Sequence, residues 1–161
     1  MARWTGEWLS APATARQASS AEPPRWPGEH LGLPEDGVGA AAGGGRRLLA
    51  LLLDLLLASL ITALFRRPVL DDPAVMQDFN LLAIGIWVLL TVSPVALFGF
   101  TPGMGVCGIR VGRLDGAKFL GLWRALVRAA LTFLIVPAAV RNVDARGWHD
   151  RLTGTVVVRL R

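Results

Sequence analysis

Residues 46–65 read Arg-Arg-Leu-Leu-Ala-Leu-Leu-Leu-Asp-Leu-Leu-Leu-Ala-Ser-Leu-Ile-Thr-Ala-Leu-Phe, so an apolar run of eighteen residues, 48–65, contains one ionisable side chain, Asp54, and follows an arginine pair, Arg46 and Arg47. At roughly 1.5 Å of rise per residue, such a run is about long enough to cross a hydrocarbon core of about 30 Å as an α-helix. A carboxylate near its centre costs about 2.5–3.5 kcal/mol on insertion scales, so Asp54 should face protein or water and have a partner there.

The rest of the chain supports a membrane setting. Hydrophobic residues make up 53% of 161 residues, and the mean hydropathy is +0.47, high for a soluble globule. Residues 79–100 hold no charged side chain over 22 positions, the strongest predicted span; Pro94 should kink it, with Ser93 or Thr91 helping to satisfy the carbonyl that proline leaves free. Residues 119–140 form a third apolar stretch, interrupted by Arg124 and Arg128. The two arginines lie four apart on one helix face and can snorkel or meet acidic groups, which leaves either a marginal third span or a re-entrant helix.

The net charge of +5 does not describe a nucleic-acid surface, because the basic residues divide among the segments flanking the apolar runs. Five lie in residues 1–47, two in 66–78, five in 101–128 and five in 141–161. By the positive-inside rule the N-terminus and the 101–118 loop are cytoplasmic and residues 66–78 face outward. A complete third crossing would export the basic C-terminal segment, against that rule.

Residues 1–45 are rich in Pro, Gly and Ala and are expected to be a disordered tail, with Trp4, Trp8 and Trp26 available for the membrane interface or a partner. No charged start followed by an apolar segment and a cleavage site opens the chain, so the tail should stay attached. Two strand-like pieces, residues 106–111 and the β-branched 155–159, invite pairing with each other. The expected architecture is thus an all-α membrane protein: the tail, then a membrane domain over 46–160 with about three helices and a short cytoplasmic strand pair.

Candidate chemistry is sparse. Arg47 and Asp54, seven apart, share a helix face but lie roughly 10.5 Å apart along the axis, too far for a direct bridge. Asp54 is therefore either an ion or proton site or a polar lock between helices. His149 beside Asp150 suggests an acid–base pair, but adjacent residues point apart and no nucleophile has useful spacing; a loop-fixing role for Asp150, tied to Arg110 or Arg151, is the alternative. Two histidines and one cysteine, widely scattered, make no metal set, and the glycines at 103–108 lack the Gly-Lys-Ser/Thr ending of a phosphate loop. No cofactor, metal or enzymatic activity is expected.

Arg47 with Asp54, the Thr-Pro-Gly-Met of 101–104 leading to Gly-Ile-Arg-Val at 108–111, and Arg-Gly-Trp-His-Asp-Arg-Leu-Thr-Gly-Thr-Val-Val-Val at 146–158 together resemble the RDD family of bacterial integral membrane proteins. The likeness covers about residues 45–159. Tail segments at 3–10 and 31–35 resemble actinobacterial members. The resemblance places the family's arginine on Arg47, with Arg46 as the alternative, its first aspartate on Asp54 and its second on Asp150. The chain departs from the commoner pattern at Trp148, where leucine is usual, and at Met104, where many members have lysine. The family likeness implies a third membrane helix, a bacterial plasma-membrane location, and transport of a cation, proton or small solute.

Two functions follow as expectations. In one, Asp54 binds or relays a cation while Arg47 and Asp150 tune it, supported by Arg110, His149, Arg124 and Arg128; three helices make a thin wall, so self-association or a larger membrane partner is implied. In the other, the spans are an anchor and the tail and strands recruit a cytoplasmic partner.

Overall fold

A computed structural model describes residues 25–115, 117, 119–134 and 148–161. Helix α1 (Gly44–Phe65) and helix α2 (Pro73–Phe98) are the two long apolar elements, 22 and 26 residues. They form a hairpin whose connector is held by an exposed 2.6 Å bridge from Arg66 to Asp78. Asp72 caps α2, accepting from the amides of Ala74 and Val75, and Pro73 occupies the first turn, where its missing N–H costs nothing.

The two faces of α1 are written in one period. Ala50, Asp54, Ala58 and Thr62 are buried, whereas Leu52, Leu56, Leu60 and Leu64, two positions out of phase, are each more than half exposed. Small and polar residues every fourth position let neighbouring segments approach closely, residues 101–103 at Ala50 and Asp54 among them, and the leucines remain for an apolar solvent. In both helices only 22% of the apolar eighteen-residue window is buried inside the protein. A soluble core helix would hide most of that surface, so the pair is built for a membrane.

After α2 the chain turns at Gly99, whose φ of +79° favours glycine and whose carbonyl accepts from the Val111 amide at 2.6 Å. Thr101 and Pro102 then start a one-turn helix, α3 (Pro102–Val106), leading into strand β1 (Ile109–Arg113). Helix α4 (Leu122–Phe133) follows, then a five-residue helix α5 (Trp148–Leu152) and strand β2 (Thr155–Arg159).

The expected strand pairing is present and antiparallel, Val111 opposite Val157. Its first strand starts three residues later than the composition indicated. A threonine cap and a proline in the first turn make 102–106 helical, and the strand runs on through Gly112 to Arg113.

Residues 39–42, assigned to the tail by composition, are paired. The amides of Gly39 and Ala42 donate to Arg159 and Val157 carbonyls, the Arg159 amide donates to Ala40, and Ala41 bridges to Val158. β2 is thus held on both edges. Residues 1–24, including Trp4 and Trp8, lie outside the described residues.

Helix α4 runs antiparallel to α2. At its start the Gly121 amide donates to the Ala96 carbonyl, and at its end the Phe133 ring lies 6.1 Å from Trp87, near the middle of α2. At twelve residues α4 rises about 18 Å, roughly half of what a crossing needs. Residues 135–147, the remainder of the third apolar stretch and its exit, lie outside the described residues. α5 and β2 sit at the same end of the α1–α2 pair as β1 and the start of α4.

Candidate functional site

Asp54 projects from the buried stripe of α1 onto the start of α3. Its Oδ2 accepts from Thr101 Oγ1 at 2.5 Å and its Oδ1 from the Gly103 amide at 2.7 Å. Thr101 in turn accepts from the Met104 amide at 3.1 Å, so one hydroxyl caps α3 and binds the carboxylate at once. Gly103 is required for this approach: a Cβ there would stand 2.2 Å from the Ala50 carbonyl oxygen and 2.9 Å from Asp54 Oδ1.

Arg47 shares a helix face with Asp54, as spacing predicted, but its charge goes elsewhere. Its Nη1 donates to Asp150 Oδ2 at 2.6 Å and its Nε to the Ala42 carbonyl at 3.1 Å. Arg128, from α4, donates to the other oxygen of Asp150 and to Thr155 Oγ1 at 2.7 Å. Thr153 and Thr155 exchange a 2.9 Å hydroxyl contact beside them. The Asp150 side chain is 0% exposed and Arg128 only 7%, so α1, α4, α5 and β2 meet at one buried charge cluster.

The alternative that tied Asp150 to Arg110 or Arg151 is therefore corrected. Arg110 is exposed on β1 and Arg151 is exposed on α5, and neither bonds the Asp150 carboxylate. An arginine on β1 and a neighbour in sequence lost to two helices whose faces converge on that carboxylate. Arg124 pairs with Asp115 at 3.6 Å at the surface, so both arginines of α4 meet acids. Asp115 also bonds Arg113 within the turn after β1, and that hydrogen bond holds its carboxyl well below the usual range, at about 2. The side chain of His149 lies outside the described residues. Arg46 is exposed and donates to the Arg161 carbonyl, away from the cluster.

A cavity of about 380 Å³ lies between these groups, with Arg47, Asp54, Thr91, Thr101 and Arg128 on its polar side and Leu48, Val95 and Met104 among its apolar lining. Among the described residues no cation pairs with Asp54, whose two hydrogen bonds leave about half of a carboxylate's acceptor capacity unused. Arg47 and Arg128 are both held by Asp150 instead. No group of three or more His, Cys, Asp or Glu side chains able to hold a metal occurs among the described residues. The sequence contained an unread signal for this packing, the four-residue repeat of Ala50, Asp54, Ala58 and Thr62.

Two long apolar helices facing outward, with a buried aspartate midway along the first and a buried Arg47–Asp150–Arg128 cluster at its start, define an integral membrane protein. The RDD family model matches residues 41–154, and the chain belongs to that family. Comparisons with curated proteins and with solved structures return no match.

Proposed function

We propose that this RDD-family protein is transport-related, handling a cation or a proton with Asp54 as the group that carries it. One observation supports this reading above the others: a buried carboxylate on a cavity wall, satisfied by a hydroxyl and an amide while both neighbouring arginines are engaged by Asp150. Such a carboxylate is costly in a membrane unless it has work there. Arg47, Asp150 and Arg128 form a fixed charged closure at the end of the cavity, and Arg110 and Arg124 lie outside that closure.

The positive-inside rule puts the N-terminus in the cytoplasm of a bacterial cell. The pairing of β2 with β1 and with residues 39–42 supports a C-terminus on that same side, with α4 as a partial rather than a complete crossing. Two spans and a partial helix enclose little by themselves, so self-association completes the wall. In proteoliposomes, Asp54→Asn is expected to abolish cation or proton flux; unchanged flux at equal reconstitution overturns the reading.

The second reading is a membrane adaptor, favoured by the way residues 39–42 tie the tail to β2. It requires that deleting residues 1–24 removes function and leaves insertion intact, whereas a transporter keeps its flux.

A further inference from the structure

A second cavity, of about 410 Å³, lies further along the α1–α2 interface, with Ser59, Asn80, Ile84 and Phe133 in its lining. Leu51, Trp87 and Thr132 line both cavities. Asn80, Trp87 and Thr91 are seven and four positions apart, so they share one face of α2.

Trp87 is 3% exposed, and its Nε1 is buried with no acceptor among the described residues. Thr91 Oγ1, one turn away and on the first cavity, is also buried without a partner. A threonine in an apolar helix ordinarily closes onto its own backbone, as Thr62 does on the Ala58 carbonyl at 2.7 Å. Of the two hydroxyls expected to help satisfy the carbonyl that Pro94 leaves free, Ser93 or Thr91, that of Thr91 does not do so. An indole N–H can only donate, and leaving a buried donor unpaired costs about 1–3 kcal/mol. Two such groups at a boundary between cavities are met by an oxygen that can accept from both. Although the lining is mostly apolar, Asn80, Ser59 and Thr132 supply further polar groups, and a cavity that offers such partners holds water whereas a wholly apolar one stays dry.

We propose that Trp87 Nε1 and Thr91 Oγ1 form a water-binding site that joins the two cavities into one hydrogen-bonded path, running from Asp54 past the Trp87 indole toward Asn80 and Ser59. The Phe133 ring braces the indole from α4. This deepens the transport reading and rests on it for its purpose: water at Trp87 gives the Asp54 carboxylate a route along the membrane interior.

The test uses the full-length protein in lipid bilayers, labelled with ¹⁵N at the tryptophan indoles and observed by water-edited solid-state NMR. Trp87→Phe identifies the Trp87 signal by its loss. The expected result is transfer from water to Trp87 Nε1 at a rate near that of the exposed Trp123, falling by about threefold or more in the near-isosteric Thr91→Val as one of the water's partners is removed. A Trp87 signal as isolated from water as the backbone amides at the centre of α1 overturns the site, and so does transfer unaffected by Thr91→Val. Flux is measured separately: loss of water contact with intact Asp54-dependent flux sinks this proposal alone, and intact water contact with flux indifferent to Asp54→Asn sinks the transport reading alone.

Discussion

Arg47 and Asp150 stand 103 positions apart in the chain and meet through a 2.6 Å bond, with the aspartate fully buried. Together with Arg128 they place two cations on one anion. Removing that anion leaves two buried guanidinium groups facing each other. Asp150→Asn is therefore expected to lower stability by about 3–5 kcal/mol. Thermal unfolding in detergent checks this, and a near-native melting temperature refutes it. Arg47→Lys keeps a charge but loses the fork that also reaches Ala42, so a smaller loss is expected.

Gly103→Ala puts a methyl group into the Ala50 carbonyl. α3 must lift from α1, breaking the amide bond to Asp54, for a loss of about 1–3 kcal/mol. Gly105→Ala is the matched control, since its nearest neighbour is the Phe100 ring at 3.5 Å, ordinary contact. Equal melting temperatures for the two variants would contradict the close packing described.

Thr101→Val removes both a donor to Asp54 and the cap for the Met104 amide. A loss of about 1–3 kcal/mol is expected, largely restored by Thr101→Ser, which keeps the hydroxyl. If valine proves harmless, Asp54 does not depend on this bond.

Outside the membrane, the Arg113 and Asp115 turn titrates in a stated direction. Asp115 sits at about 2 in the folded protein, below its ordinary 3.8, because Arg113 and the Ala117 amide bond the charged form. Its contribution to stability is complete above the ordinary value and fades as pH falls from about 4 to about 2. Asp115→Asn should then differ from the native protein above pH 4 and converge with it near pH 2. Parallel melting curves at all pH values would exclude that linkage.

A reporter fused after Arg161 tests the topology. β2 lies between β1 and residues 39–42, so the reporter is expected in the same compartment as the N-terminus. Opposite compartments would require a full third crossing.

The spans were legible because length and apolarity alone specify a membrane helix, and β2 because four of its five residues are β-branched. Asp54 was legible as a buried group for the same reason. Its partners were not: Thr101 and Gly103 lie 47 and 49 positions away, and only the turn at Gly99 brings them back. Asp150 was matched to Arg110 or Arg151, although the bonds come from Arg47 and Arg128, on helices that converge in space. The role of residues 39–42 was hidden because they act through backbone groups, which composition does not report.

Asp150 is translated after Arg47, both spans and Arg128. During synthesis the bonds that Arg47 and Arg128 share on Asp150 can therefore form only once α5 has emerged from the ribosome. The tie between α1 and α4 through that carboxylate is consequently the last of these contacts to be made, and a nascent chain arrested before residue 150 lacks it.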